Sequence, residues 1–408
     1  KDTVLPFPGA RGGGKDFCRQ ERVTMRSFDL IVAGGGIAGC SAALAAARRG
    51  KSVALLEKSV WPGGLATAGL IYVYLPICDG CGRQVSFGLA RELLTAAHAY
   101  GPGEIPEHWQ APGPKPLNDR LYTIFSPASM VLALDELLEE AGVSVWFGTL
   151  LAGVRRTGGR VTAVEVENKS GRLTLEADYF IDATGDADLV RRAGGECFSE
   201  ENQLSSWAIE YDATAQRSPR NLADHLKQVV INRTVPEGRF RGISGESVSR
   251  MIRESRRELR NRYRKLYAEG RTRDDCFPLL VPTLANFRRT FSIRGRLLLT
   301  PELSGEQFDD SVGLFGNWIT PGPVHELPYR VLLPAELENV WAAGRCISVT
   351  GETCELTRVI PVAAMSGEIA GPPAALAADA GSSAPGVAGG RLQEELRRVG
   401  FRFHREEL

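Results

Sequence analysis

Six consecutive residues, Gly34-Gly35-Gly36-Ile37-Ala38-Gly39, carry the G-x-G-x-x-G spacing that can cradle a pyrophosphate. Gly34 permits the tight turn, Gly36 lets the backbone approach the phosphates, and Gly39 lets a helix pack on a strand. A helix opening here offers unpaired N–H groups and a partial positive charge to the anion. Glu57 follows at about the 20-residue distance where a carboxylate can accept from both ribose hydroxyls of an adenosine. The same carboxylate repels a 2′-phosphate, which disfavours NADP. At this point FAD and NAD both remain open.

Three later glycine turns bear on that choice. Pro62-Gly63-Gly64-Leu65-Ala66-Thr67-Ala68-Gly69 stands where an NAD enzyme is expected to place a third strand and helix. A Gly-rich loop there suits a backbone that passes beside a large flavin. Asp182-Ala183-Thr184-Gly185-Asp186-Ala187-Asp188 and Trp341-Ala342-Ala343-Gly344-Arg345 each read as a strand running into a glycine turn. Gly367-Glu368-Ile369-Ala370-Gly371 lies on a predicted helix. On the substrate side, Arg289 can clamp a carboxylate bidentately and His325 can move a proton near neutral pH. Cys78-Asp79-Gly80-Cys81 is a single C-x-x-C with no second pair to complete a four-thiolate metal site, and it reads as two loop thiols.

These residues need elements to position them. Phe28–Ala33 is a short apolar run suited to a buried parallel strand, Gly36–Arg49 is an Ala-rich helix closed by Gly50, and Val53–Leu56 is a second buried strand. Together they make one β-α-β crossover. Pro127–Gly142 is predicted helical. Gly158-Gly159 and Ser170-Gly171 are predicted turns of a β-meander, with Tyr179–Asp182 as a further short strand. Gly245–Gly270 is predicted as one long helix whose outer face carries six arginines, read as a solvated face. Val340–Ala343 is a late strand, followed by a helix over 361–378.

Composition sets outer bounds. The 408 residues imply two or three domains. Lys plus Arg equals Asp plus Glu, 49 each, which gives no argument for nucleic acid or an anionic membrane as partner. No apolar run is long enough to span a bilayer, and no signal-peptide pattern appears. Scattered cysteines point to reduced thiols and a cytoplasmic protein. Residues 1–24 read as a disordered tail or cloning remnant, with Met25 as the native start.

The four glycine motifs, in this order, resemble FAD-dependent oxidoreductases of the glutathione-reductase structural class. They are most similar to a bacterial family distantly similar to the flavoprotein subunits of fumarate reductase. The resemblance spans roughly residues 27 to 378. It implies that Gly34, Gly36 and Gly39 hold the pyrophosphate and Glu57 the ribose. It implies further that Gly63, Gly64 and Ala66 line the flavin side, that Thr184 and Gly185 pack on the adenosine half, and that Gly344 and Arg345 lie near the ribityl chain. Ile37, Ala38, Lys58, Leu65 and Arg358 are counted with these cofactor contacts. Related flavoproteins often have an Asp where this chain has Arg345, and its carboxylate binds the ribityl hydroxyls. The stretch Phe287-Arg288-Arg289-Thr290, ahead of Leu299-Thr300-Pro301-Glu302, is similar to an Arg-containing segment of the family.

The expected fold is α/β. A Rossmann-type FAD-binding domain with a β-meander (25–200 and 331–378) surrounds an inserted α+β substrate or cap domain (201–330), and a linker and C-terminal helix follow (379–408). The expected activity is hydride or electron transfer between a small organic substrate and bound FAD. The rival readings are an NAD-dependent Rossmann enzyme and an FAD-assisted electron-carrier or RNA-modifying protein. No metal is expected. The sequence does not set the oligomeric state.

Overall fold

The computed structural model describes residues 27–105, 122–234, 239–386 and 389–408. The expected tail and the start at Met25 lie outside the described residues. Strand β1 (Ser27–Ala33) runs into helix α1 (Ile37–Ala47), which returns the chain to β2 (Val53–Leu56). β2 lies parallel to β1, with Leu30 opposite Val53 and Ala33 opposite Leu56. α1 is built of small and apolar residues, so its close packing buries all ten residues from Ile37 to Ala46. The 3₁₀ turn Gly64–Ala66 leads to the short strand β3 (Val73–Tyr74). Helix α2 (Leu89–Ala96) precedes β4 (Thr123–Ile124), the partner of β3. α3 (Pro127–Glu140), capped by the Ser126 side chain, leads to β5 (Ser144–Trp146) beside β2.

The meander comes next, as β6 (Leu150–Thr157), β7 (Arg160–Asn168) and β8 (Gly171–Asp182). The strand expected at Tyr179–Asp182 is the last third of the longer β8. Its first half alternates between buried and less buried residues and pairs with β7, while Tyr179–Asp182 is buried throughout and lies beside β1. One strand therefore carries both period-2 patterning and a continuous apolar run. α4 (Asp188–Arg192) and β9 (Cys197–Ser199) follow.

The inserted segment holds β10 (Leu204–Asp212), β11 (Leu226–Arg233), helix α5 (Gly245–Ala268) and β12 (Cys276–Leu280). The three strands form an antiparallel sheet in the order β11-β10-β12. Ala208, Val229, Leu259, Tyr263 and Cys276 join sheet and helix in a small core of their own. Glu210 and Asp212 are buried in this unit and are held by Arg262 and Arg271, at 2.9 and 2.7 Å. These guanidinium groups occupy the carboxylates, which with Cys276 otherwise have the spacing of a metal site.

Strands within the expected insert also pack on the main body. β13 (Phe291–Ile293) pairs with β9, and the hairpin β14 (Ser311–Gly316) and β15 (Val324–Pro328) contributes Val312, Phe315 and Leu327 to the large core. β16 (Val340–Ala342) then adds to β8, completing a sheet ordered β5-β2-β1-β8-β7-β6 with β16 also on β8. α6 (Gly351–Thr357) and α7 (Ile360–Ala380) follow, and α8 (Gly389–Arg398) closes the chain. The C-terminal part is not a loose appendage. Leu392, Leu396, Phe401 and Phe403 are buried in the main core, and the Ser311 hydroxyl donates to the Phe403 carbonyl at 2.6 Å. Among the described residues, no single helix is long and apolar enough to cross a membrane.

Candidate functional site

The C-terminal ends of β1, β2, β8 and β16 meet at a cavity of ≈ 380 Å³, whose far wall is the inserted segment. Gly34 turns the chain out of β1 with φ +102°, a conformation that glycine adopts freely, and it packs against Ala183 after β8. Gly36 differs. Its φ of −69° is ordinary for any residue, and a Cβ built on it would meet no protein atom within 4 Å. The fold does not require glycine there, and the space left open belongs to the cavity. No side chain caps α1, so its first N–H groups have no side-chain partner. Gly39 does not line the cavity. It packs on the Gly34 carbonyl and lets α1 approach the strand.

Glu57 stands at the end of β2, 5% exposed. Its carboxylate accepts N–H bonds from Gly35 at 2.8 Å and Ser59 at 2.7 Å, which fixes its direction toward the cavity. Lys58 beside it lies 3.9 Å from Asp186. The glycine loop closes over this turn, with the Gly63 N–H donating to the Gly35 carbonyl at 2.8 Å. Gly63, Gly64, Leu65 and Ala66 all face the cavity with Gly34, Gly36, Ile37 and Ala38. Thr184, Gly185, Gly344, Arg345 and Arg358 line it as well.

Asp182 carries the turn after β8. One carboxylate oxygen accepts from the Thr184 N–H and hydroxyl, and the other accepts from the Val190 N–H at 2.9 Å. Burial pushes its pKa up to about 6 against the opposing pull of these donors. Arg345 makes a clip across three segments. It donates to the Gly185 carbonyl at 2.8 Å, to Asp186 at 2.7 Å and to the Phe287 carbonyl of the inserted segment. The Thr290 hydroxyl reaches the same Asp186 at 2.7 Å.

The two residues expected to act on substrate are not brought together. Arg289 is held by Glu200 at 3.2 Å, Glu355 at 3.0 Å and the Gly351 carbonyl at 2.8 Å, and it does not line the cavity. Its neighbour Arg288 lines the cavity and has no ion-pair partner among the described residues. Burial and the nearby Arg358 push the Arg288 pKa down. His325 lies at a different surface pocket, beside Arg83 and Arg405. Its Nδ1 is 2.6 Å from the Ser304 carbonyl and its ring stacks on Phe315. Burial lowers its pKa, so the neutral ring is favoured.

Sequence reasoning passed over two contributors. Asp182 stood inside a quoted motif, but only the fold shows its capping role. Arg288 was one residue from the chosen arginine, in an irregular stretch with no periodicity to assign directions. The N-terminus of α7, by contrast, was expected from the sequence to face the flavin, near Pro361 to Gly367; Val359 and Ile360 line the cavity there and no side chain caps the helix.

The family model for FAD dependent oxidoreductases matches residues 29–275 and 200–396. No curated protein matches the chain. Among solved structures, one likeness is a geranylgeranyl bacteriochlorophyll reductase-like protein from Thermoplasma acidophilum. It has 14% identity and a TM-score of 0.49, covering 92% of this chain and 83% of that one. Another is p-nitrophenol 4-monooxygenase PnpA from Pseudomonas putida DLL-E4, with 15% identity and a TM-score of 0.46, covering 91% and 84%. A third is the myxobacterial chondrochloren halogenase CndH, with 17% identity and a TM-score of 0.45, covering 91% and 79%.

Proposed function

We propose, from the premise that this chain belongs to the FAD dependent oxidoreductase family, a division of labour among the residues around its cavity. The protein is an FAD-dependent oxidoreductase, and the NAD-dependent alternative falls with that assignment. The open space at Gly36 is the observation that carries the cofactor's placement. Gly36, Ile37 and Ala38 at the start of α1 hold the pyrophosphate by N–H groups and helix dipole. Glu57 accepts from the adenosine ribose. Gly63–Ala66 and the start of α7 at Val359 and Ile360 bound the flavin ring. Bound FAD accepts a hydride or electrons from substrate, or returns them.

The inserted segment is the substrate-side wall. Val248, Ile252, Leu284 and Phe287 give it an apolar surface, and Arg288 gives it one free cation. Such a wall excludes water and favours a small organic substrate with an apolar body and one anionic group. Arg288 takes the clamping role first considered for Arg289, and His325 has no part in it. The finer kinship with the glutathione-reductase class and fumarate reductase flavoproteins is part of this reading, and so is a cytoplasmic location. It includes no role for nucleic acid or membrane. The test is Arg288→Gln. Flavin content should stay at the wild-type level while the rate of flavin reduction by an anionic substrate falls. Loss of FAD in that variant would move Arg288 to the cofactor.

A further inference from the structure

The outer face of α5 carries charge that the fold does not use. Arg253, Arg256, Arg260 and Arg264 recur at three- and four-residue spacing and form one stripe along the helix. All four are exposed, and none has an ion-pair or hydrogen-bond partner among the described residues. Neighbouring charges are paired, Arg257 with Glu254, Arg262 with Glu210, and Lys265 with Glu269. The stripe spans about 16 Å at 1.5 Å per residue. The whole chain balances 49 basic residues against 49 acidic ones, so this is a local excess.

The opposite face of the same helix faces inward. Met251, Ser255, Leu259 and Tyr263 are buried, and Val248 and Ile252 line the cavity. We propose that the arginine stripe of α5 is the docking surface for an acidic electron-carrier protein. This rests on the reading of the cavity as the flavin site. A partner on the stripe stands about one helix diameter, 10–12 Å, from the cavity wall. Electron-transfer encounters are small and led by charge, so four unpaired guanidinium groups suit one. A carrier gives up one electron per visit, and two visits with two protons from water supply what full reduction of FAD requires. A nucleic acid or an anionic membrane gains nothing from this closeness to the cavity.

The test uses the FAD-loaded protein and three probes, namely a plant-type [2Fe–2S] ferredoxin as the acidic carrier, a short duplex DNA, and phosphatidylserine vesicles. Binding is measured at low and high salt. The ferredoxin should bind best, and its affinity should fall about tenfold or more as salt shortens the screening length. Combined Arg253→Glu, Arg256→Glu, Arg260→Glu and Arg264→Glu should weaken it by at least about tenfold at low salt, with FAD content unchanged. Arg260→Glu alone should show a smaller loss in the same direction, should the fourfold variant fail to fold. Absent ferredoxin binding, binding indifferent to these changes, or tighter binding to DNA or vesicles would overturn the proposal. The flavin spectrum of the same sample separates the two readings. A yellow protein that ignores ferredoxin defeats only the docking surface, and a protein that cannot hold FAD defeats the site itself.

Discussion

A Cβ placed on Gly367 would land on the carbonyl oxygen of Ala38, so the third turn of α7 rests on the first turn of α1. Farther along, Gly371 meets Ala42 and Ala45, which makes the two helices run in the same direction. At 1.5 Å per residue, the N-terminus of α7 then projects roughly 9 Å beyond that of α1. Two helix N-termini therefore face one cavity at different depths, the nearer beside Gly36 and the farther at Val359 and Ile360. This offset can serve a pyrophosphate and a flavin ring at once.

The first prediction contrasts two glycines. Gly36→Val should abolish FAD retention while the apoprotein keeps its far-UV circular dichroism, because only the ligand's space is filled. Gly367→Val should instead destabilise the apoprotein itself by about 3 kcal/mol or more, since backbone at the helix crossing must move. Thermal unfolding of both apoproteins checks this. Equal losses of stability would show that Gly36 is structural.

The second concerns the Arg345 clip. Arg345→Met should weaken FAD binding by about ten- to hundredfold, or roughly 1.4 to 2.8 kcal/mol, by freeing the Gly185–Asp186 turn. Asp186→Asn should do part of the same. Titration calorimetry on the double-mutant cycle should give a coupling of about 1 to 3 kcal/mol. Additive effects would mean that the two residues act separately.

How much of this was legible in the sequence depends on local order. The glycine turns could be read because glycine spacing, flanking apolar runs and Glu57 fall in a regular β-α-β unit. Two strands and one helix then fix their directions. The Arg288–Arg289 pair could not be resolved. It lies in an irregular stretch before β13, where neither the 3.6 nor the 2.0 period applies. His325 was expected to move a proton but lies at another pocket, because β15 pairs with β14 and turns its ring onto Phe315. The β14–β15 hairpin falls inside the expected insert, yet Val312, Phe315 and Leu327 belong to the large core, a contact that no local pattern announces.

The third prediction follows from that correction. Arg288→Gln should lower kcat/KM for an anionic substrate by about thirtyfold to a thousandfold, or roughly 2 to 4 kcal/mol, with FAD retained. Arg289→Gln should act on stability instead, by about 1 to 3 kcal/mol, because Glu200 and Glu355 lose a partner. His325→Gln should leave flavin reduction at the wild-type rate. Stopped-flow reduction and thermal melts of the three variants separate these roles. A slow His325→Gln would restore that residue to the mechanism.

The fourth is a pH dependence of stability. Glu368 is buried on α7 and accepts the Leu89 N–H at 2.6 Å. Burial raises its pKa from 4.5 to about 7, and Glu92 adds to the effect. The folded state thus holds a proton that the unfolded state releases above pH 4.5. The sign is fixed by this. Its contribution to stability is full below the unfolded value and is lost as pH rises through the folded one, by up to about 3 kcal/mol. Glu368→Gln should raise the melting temperature relative to wild type at pH 8 and change it little at pH 5. The opposite pattern would mean that the carboxylate is ionised and stabilising in the fold.

The most direct measurement is the cofactor itself. Protein purified from cells, or refolded with added FAD, should absorb near 450 nm and release FAD on denaturation at about one equivalent per chain. Neither FMN nor NAD should be found, since the proposed reading gives Glu57 an adenosine ribose and the glycine loop a flavin. A colourless protein that takes up no FAD, or one that releases FMN or NAD in its place, would contradict the account.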